Sequence, residues 1–223
     1  MRKIKHSLFI NTTYFLLRFF IGPIVRLIWV KKVAGLENIP KTGPAILVFN
    51  HQSYFDFICF IAVSPRNIHY LSAEKFFTHP VWSFIMIITG QIRVDRKSND
   101  KHKLHESVYA HLDSGKLIGI FPEGTRSPHE NKMLKGFPGV VKYAIHKKVL
   151  VIPVGIKGTY EVMSRHDSLP RFKKIVKIII GNPIFFEIHH NTTPDNKVLD
   201  TLTHGIMVEI SRLSGREYQH EYI

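Results

Sequence analysis

Short apolar segments that read as β-strands alternate with helical segments along most of this chain, beginning near residue 33. Such alternation is typical of α/β folds, in which the strands form a largely parallel sheet and helices cover its faces. The predicted strands are 45–49, 69–71, 92–96, 117–121, 150–154 and 175–180. The predicted helices are 54–63, 80–92, 100–114, 140–145 and 199–213. We therefore predict an α/β fold with a mostly parallel β-sheet flanked by helices.

The N-terminal segment has a different composition, with seven Lys or Arg and no acidic residue in residues 1–36, set among runs of Phe, Leu and Ile. No window of 18 uncharged apolar residues occurs, so a clean membrane span is not predicted. Arg18 interrupts the apolar region and no small-x-small site follows it, which argues against a cleaved signal peptide. We predict one or two membrane-associating helices, with Gly22-Pro23 as the candidate break, lying on a membrane surface with their arginines at anionic headgroups. A helix pair packed on the protein's own core is the alternative.

This segment divides the chain into two predicted parts. Residues 1–36 form the membrane-associating helices, and residues 37–223 form a single α/β domain. The absence of an internal repeat, a long Gly/Ser linker and a low-complexity tract favours one domain over several.

A histidine and an aspartate separated by four residues, His51 and Asp56, follow the apolar strand 45–49. Ser53 and Asp56 have the spacing of a capping box, which predicts that a helix begins at Ser53 and that His51 lies just outside it. A neutral imidazole oriented by a carboxylate can act as a general base near pH 7. The alternative is structural: Asp56 caps its helix and His51 satisfies a strand end. The same spacing recurs at His190 and Asp195, in a polar segment that we interpret as a surface loop.

A second candidate site follows the strand 117–121, in the segment Phe121-Pro122-Glu123-Gly124-Thr125-Arg126-Ser127-Pro128. Gly124 lets the backbone approach a ligand, Thr125 and Ser127 offer hydroxyl groups, and the planar guanidinium of Arg126 suits phosphate oxygens. Loops at the carboxyl ends of strands are where open α/β sheets bind ligands. The alternative is a turn in which Glu123 pairs with Arg126.

Three more basic residues are candidates for phosphate contacts. Arg93 lies on the strand-like segment 90–96 and Arg96 lies at its end, although a solvated edge balanced by Asp95 would explain both. Lys135, just before the helix 140–145, is the third.

The net charge of +14 and the pI of about 9.9 indicate an anionic partner, such as nucleic acid, anionic lipid or a phosphorylated substrate. A nucleic-acid-binding protein is disfavoured because no zinc-finger spacing or RNP-like aromatic motif occurs. The 14 histidines include no HExxH or similar spacing, so no metal site is predicted. Cys59 is the only cysteine and lies in an apolar run, where thiols are usually inert.

Four ordered blocks between about residues 45 and 160 resemble the 1-acylglycerol-3-phosphate acyltransferase family. The blocks are Asn50-His51 with Asp56, Gly90 with Asp95-Arg96, Phe121 to Ser127, and Val151-Ile152-Pro153-Val154. The resemblance implies transfer of a fatty acyl group from acyl-CoA or acyl carrier protein to the sn-2 hydroxyl of lysophosphatidate, forming phosphatidate. It implies an acyl thioester as co-substrate and no cofactor or metal.

The resemblance also implies roles for individual residues. His51 would deprotonate the hydroxyl and Asp56 would hold its imidazole, with no covalent enzyme intermediate. Glu123, Gly124, Thr125, Arg126 and Arg96 would bind the glycerol phosphate, and Pro153 would shape the acyl or donor site. Family members associate with membranes, so the implied location is the cytoplasmic face, as a monotopic or peripheral protein. Another lysophospholipid or a glycerol phosphate is the alternative acceptor.

Overall fold

The computed structural model describes residues 2–98, 100–187 and 194–220. Its strands are β1 (Val30–Ala34), β2 (Ala45–Phe49), β3 (Ile68–Ala73), β4 (Ile92–Val94), β5 (Leu117–Ile120), β6 (Leu150–Lys157) and β7 (Val176–Ile180). Its α-helices are α1 (Arg2–Leu16), α2 (Gly22–Ile28), α3 (Phe55–Val63), α4 (Lys75–Thr78), α5 (Pro80–Ile88), α6 (His102–Asp113), α7 (Gly139–Lys147), α8 (Thr159–Val162) and α9 (Asn196–Ser214).

The seven strands form one sheet in the order β1-β7-β6-β2-β5-β3-β4. Strands β6, β2, β5, β3 and β4 are parallel to one another, while β7 is antiparallel to β6 and parallel to β1. The prediction of an α/β fold with a mostly parallel sheet flanked by helices is therefore confirmed. Because β2 and β5 are neighbours, the loops that leave their carboxyl ends meet at one edge of the sheet.

Every residue of the central strand β2 is buried, because helices cover both faces of the sheet. Its side chains alternate between two cores: Leu47 and Phe49 pack on one face with residues of α2 and α3. Ile46 and Val48 pack on the other face with residues of α6, α7 and α9. Packing on both faces of the sheet fixes the ends of β2 and β5, and with them the loops that follow.

The N-terminal helices continue through the predicted break at Gly22-Pro23. A π-helical turn, Leu17–Ile21, joins α1 to α2, and the Gly22 N–H bonds to the Leu17 carbonyl. Proline lacks an N–H and its ring collides with the carbonyl four residues earlier, so a widened turn before Pro23 lets the helix continue. The resulting helix, Ser7–Ile28, is long and apolar enough to cross a membrane by length and composition alone, although Arg18 and Arg26 led us to predict no clean span.

Two local details differ from the sequence-based expectations. The helix after His51 begins at Phe55 rather than at Ser53, because the Ser53 hydroxyl accepts the Phe55 N–H at 2.9 Å and closes a turn. The strand β1 lies inside the range 1–36 that we predict to be helical, and its exposed Lys31 and Lys32 explain why it was missed.

Candidate active site

The His51 imidazole lies where the chain leaves β2, against the short loop that leads into α3. Its Nδ1 is 2.9 Å from Oδ2 of Asp56, and its ring stacks on Phe121 at a centroid distance of 4.0 Å. The histidine side chain is 14% exposed, whereas that of Asp56 is fully buried. The predicted contact between the two side chains is therefore present, with the ring at the wall of a cavity and the carboxylate behind it.

Asp56 is held by the loop that it orients. Its Oδ2 also accepts the backbone N–H groups of Gln52 at 2.9 Å and Ser53 at 3.0 Å. Three donors thus converge on one oxygen, which fixes the carboxylate and consequently the ring plane of His51. Asp56 does not cap α3 as in the alternative that we considered: the N-cap is Tyr54, which has no side-chain cap hydrogen bond, and the Gln52 and Ser53 N–H groups belong to the loop before the helix.

Glu123 joins the His51 loop to the segment after β5. Its Oε1 accepts the His51 N–H at 2.7 Å and its Oε2 accepts the Leu134 N–H at 2.7 Å. The residue is 2% exposed, and burial raises its pKa from 4.5 to about 7, although the two backbone N–H groups and the charge of Arg216 act in the opposite direction. The side chain touches the cavity, but both of its oxygens already bind backbone. The alternative pairing of Glu123 with Arg126 is not observed in the described part of the chain.

Arg126 lies over the ring of Tyr54, with its guanidinium carbon 3.6 Å from the ring centroid. It does not itself line the cavity, but Tyr54 does. Lys75 approaches the same ring, with Nζ 5.9 Å from the centroid. Sequence reasoning missed Lys75, although its place directly after β3 put it at the same sheet edge as His51. Two cations thus approach the ring of Tyr54, which lines the cavity.

The remaining predicted site residues fall into two groups. The cavity is lined by Arg96, Gly124, Thr125 and Lys135. Gly124 has φ +67°, a left-handed conformation that favours glycine. Arg93 and Pro153 are not among the cavity's lining residues: Arg93 forms an ion pair with Glu74, and Pro153 is buried in β6.

The cavity has a volume of about 1310 Å³ and an unequal distribution of polar groups. One wall is apolar and comes from the N-terminal helices, α3 and α5; it includes Val25, Ile58, Ile61, Trp82 and Ile85. The basic lining residues come instead from the segments before α6 and α7 and from α7 itself; they are Arg96, Lys101, Lys135 and Lys142, with Glu123 as the one acidic residue among the lining residues. His51 contacts this shared cavity, so a ligand with an apolar chain and a phosphate would fit both parts.

The second His/Asp spacing has a different environment. Asp195 is the N-cap of α9, where its Oδ1 accepts the Val198 N–H at 2.8 Å. His190 lies outside the described residues. The capping role accounts for Asp195 without a catalytic function.

Comparison with known proteins is consistent with this geometry. The chain is 27% identical over 154 residues to a chloroplastic 1-acyl-sn-glycerol-3-phosphate acyltransferase of Arabidopsis thaliana, covering 68% of this chain and 43% of that protein. It is 25% identical over 188 residues to the 1-acyl-sn-glycerol-3-phosphate acyltransferase of Bacillus subtilis, covering 83% of this chain and 88% of that protein. The chain thus spans less than half of the plant relative and most of the bacterial one.

The fold is also similar to a solved structure. The crystal structure of the 1-acyl-sn-glycerophosphate acyltransferase PlsC from Thermotoga maritima superposes with a TM-score of 0.67 and 21% identity, covering 98% of this chain and all of that one. The model of the Acyltransferase family matches residues 31–157, which include His51, Asp56 and the segment 121–128. This chain therefore belongs to the acyltransferase family.

Proposed function

We propose that this protein transfers a fatty acyl group from an acyl thioester, acyl-CoA or acyl carrier protein, to the sn-2 hydroxyl of 1-acylglycerol 3-phosphate, and so forms phosphatidate. The observation that carries the proposal is the His51–Asp56 pair at 2.9 Å, placed on a cavity with an apolar wall and a basic end. The names of the relatives favour lysophosphatidate as the acceptor.

His51 is the proposed general base. With the proton on Nδ1 donated to Asp56, the lone pair on Nε2 can accept the proton of the substrate hydroxyl. The stacked ring of Phe121 limits rotation of the imidazole. The pair therefore presents one nitrogen to the cavity in a defined direction, as catalysis by a positioned base requires.

The reaction needs no covalent enzyme intermediate. As His51 takes the proton, the alcohol oxygen attacks the thioester carbonyl and forms a tetrahedral intermediate. Collapse of this intermediate breaks the carbon–sulfur bond, and the departing thiolate takes the proton from the imidazolium. The products are phosphatidate and a free thiol, and His51 returns to its initial protonation state.

The phosphate of the acceptor is proposed to bind at the basic end of the site. Arg126 and Lys75, which share the Tyr54 ring, supply two cations, and Arg96 and Lys135 line the cavity beside them. Gly124 and Thr125 bring backbone and hydroxyl groups to the same region. Charge-assisted hydrogen bonds from arginine to phosphate would orient the glycerol backbone relative to His51.

The apolar wall is proposed to hold acyl chains. A volume of about 1310 Å³ exceeds the range of about 300–1,000 Å³ typical of small-molecule pockets. Both substrates carry long chains, so a large apolar cavity matches the chemistry. Residues of the N-terminal helices, including Leu17, Ile21 and Val25, contribute to this wall.

The N-terminal helices are also proposed to bind the membrane. One face packs on the protein through Ile10, Tyr14 and Val25, and the other exposes a row of large apolar side chains. These exposed residues are Leu8, Phe9, Phe15, Leu16, Phe19, Phe20, Ile21, Ile24 and Leu27. We propose that this face enters the cytoplasmic leaflet, with Arg26, Lys31 and Lys32 near anionic headgroups. A lipid substrate could then reach the cavity from the bilayer.

The test is an activity matrix of acyl-CoA and acyl carrier protein donors against lysophosphatidate, other lysophospholipids and glycerol phosphate. Free thiol release and mass spectrometry of the lipid product identify the active pair, which we expect to include lysophosphatidate. His51→Ala should abolish the signal, whereas His102→Ala, at a surface histidine with a 73% exposed side chain, should not. The proposal would be contradicted if none of the acceptors tested caused thiol release from either donor. Unchanged activity of His51→Ala would also contradict it.

A further inference from the structure

The segment that follows α9 returns to the active-site side of the molecule, although it lies beyond residues 31–157 that match the family model. We propose that Arg216 in this segment is a positioning residue for acyl transfer: it holds the loop 128–134, which in turn fixes the backbone on both sides of His51. The inference rests on the proposed function for its kinetic consequences. Its structural part can be tested without any activity.

Arg216 is 4% exposed and its guanidinium binds carbonyl oxygens of a single loop. Nε donates to Glu130 at 3.0 Å, and Nη2 donates to His129 at 2.7 Å and to Lys132. One planar cation thus gathers three carbonyl groups that would otherwise repel one another. A lysine has neither the fork nor the reach to replace this pattern.

The backbone around Arg216 adds further contacts to the same loop. The Glu217 N–H donates to the Asn131 carbonyl at 2.8 Å, and the Met133 N–H donates to the Glu217 carbonyl at 2.9 Å. The loop 128–134 is therefore held by the C-terminal segment at each residue from 129 to 133.

The fastened loop reaches the base through two routes. The Glu130 carbonyl, which accepts Nε of Arg216, also accepts Nε2 of Gln52 at 2.6 Å, and Gln52 follows His51 directly. At the other end of the loop, the Leu134 N–H binds Glu123, whose second oxygen accepts the His51 N–H. Arg216 consequently acts on His51 through neighbours and not by contact.

The charge of Arg216 is placed where buried carboxylates need compensation. Burial lowers the pKa of Arg216, and the negative charges of Glu123, Asp56 and Glu161 raise it. Reciprocally, Arg216 lowers the pKa of Glu123, which burial raises to about 7. A buried cation behind Glu123 thus favours the carboxylate form that accepts both backbone N–H groups.

The experiment compares Arg216→Lys and Arg216→Gln with Arg212→Gln as the matched control. Arg212 lies four residues earlier, has a 69% exposed side chain and pairs with Glu209 on the surface. We measure kcat and KM for lysophosphatidate, with circular dichroism to verify folding.

Arg216→Gln should lower kcat about 100-fold with little change in KM, because small misplacement of a catalytic group has effects of that order. Arg216→Lys, which keeps the charge, should lower kcat about tenfold, and Arg212→Gln should leave it unchanged.

Two readouts separate positioning from general destabilisation. The positive charge of Arg216 lowers the pKa of Glu123, whereas the negative charge of Asp56 raises it. In Arg216→Gln this pKa should therefore rise, and the acid limb of the pH profile should move to higher pH because Glu123 binds the His51 N–H as a carboxylate. In Arg216→Lys, which keeps the charge, the acid limb should stay in place. Amide hydrogen exchange at His51 and Leu134 should accelerate in both Arg216 variants and not in Arg212→Gln.

The outcomes are distinguishable. A folded Arg216→Gln with the wild-type kcat and wild-type exchange at His51 would overturn the inference, as would an increase confined to KM. If Arg216→Gln does not fold, Arg216→Lys decides by the same criteria. If the wild-type protein shows no acyl transfer, the proposed function fails, and hydrogen exchange alone decides whether Arg216 positions His51.

Discussion

The base and the proposed phosphate site are built in opposite ways. His51 is fixed from every side, since its backbone N–H, its carbonyl and its Nδ1 each bind a partner from a different part of the loop region. Arg96 instead has an exposed side chain at the cavity, and Arg126 rests on an aromatic ring. The protein thus preorganises the proton acceptor and leaves the guanidinium groups of Arg96 and Arg126 able to adjust to an incoming phosphate.

This difference has a physical reason. A general base must point at one hydroxyl hydrogen, so an error of about 1 Å strongly reduces the rate. A phosphate has several equivalent oxygens and is bound well by cations from many directions, so flexible side chains suffice. Substitutions in the rigid region should therefore lower kcat, while substitutions among the cations should raise KM.

The largest effect is expected for Asp56→Asn. The amide keeps the size of the side chain but cannot offer an equivalent anionic acceptor to Nδ1–H and two backbone N–H groups, so the ring loses its orientation and its tautomer preference. We expect kcat to fall by about 10³–10⁴-fold, with a smaller change in KM for lysophosphatidate. Thiol release measures both constants. Asp113→Asn, at an exposed carboxylate that pairs with Lys147, is the control. Near-normal turnover by Asp56→Asn would show that the pair is not the base.

Glu123→Gln tests the same rigid region through stability. The carboxyl has a pKa of 4.5 when unfolded and about 7 when folded, so the folded state holds a proton that the unfolded state releases between these pH values. Its contribution to stability is present below pH 4.5 and is lost as the pH rises to about 7. A shift of this size corresponds to up to about 3 kcal/mol.

The measurement is urea unfolding of wild type and Glu123→Gln at pH 4.5 and pH 8. The free energy of unfolding of the wild type, relative to the variant, should fall by up to about 3 kcal/mol between the two pH values. Glu106→Gln, at an exposed residue of α6, should show no comparable pH dependence. If the difference in unfolding free energy between wild type and Glu123→Gln does not change with pH, the pKa of Glu123 is not raised by burial in the folded protein.

Arg126→Ala tests the adjustable region. Loss of a charged hydrogen-bond donor to phosphate should raise KM for lysophosphatidate about 10–100-fold, corresponding to about 1.5–3 kcal/mol, while kcat changes less. Lys75→Ala should have the same direction, since its ammonium shares the Tyr54 ring. Initial rates over a range of lysophosphatidate concentrations separate the two constants. A loss confined to kcat would place Arg126 in the rigid region instead.

The same contrast explains what could be predicted from the sequence. The strands and helices followed from apolar periodicity, because burial on both faces of the sheet leaves long apolar runs such as 45–49. The His51–Asp56 contact was predictable because only a short loop separates His51 from the first turn of α3, where Asp56 lies. The edge strand β1 was missed because its outward Lys31 and Lys32 interrupt the apolar pattern.

The parts of the site that depend on distant contacts could not be predicted. The family resemblance implies that Glu123 binds the glycerol phosphate, and no sequence pattern indicated its hydrogen bonds to the backbone N–H groups of His51 and Leu134. Lys75 and Arg126 both approach the ring of Tyr54 because β3 and β5, which precede them, are adjacent in the sheet. Arg216 lies 86 residues from Glu130, and no local sequence pattern connects the two. These contacts follow from strand order, and strand order is set by the packing of the whole domain.

The smallest changes in kinetic constants are expected for substitutions of Arg93 and Arg96, which the sequence analysis treats as a pair of candidate phosphate contacts. Arg96 lines the cavity, whereas Arg93 forms an ion pair with Glu74 and is absent from the cavity wall. Arg96→Ala should raise KM for lysophosphatidate about threefold to tenfold, because an exposed cation contributes about 1 kcal/mol to binding an anion. Arg93→Ala should leave KM and kcat within about twofold of wild type, since an exposed ion pair is worth about 0–1 kcal/mol. Parallel kinetics of the two variants make each the control for the other. Equal increases in KM would contradict a specific role for Arg96 and would indicate that the phosphate responds to the summed positive charge of this region. A larger increase in KM for Arg93→Ala would mean that Arg93 leaves its ion pair with Glu74 and binds the substrate.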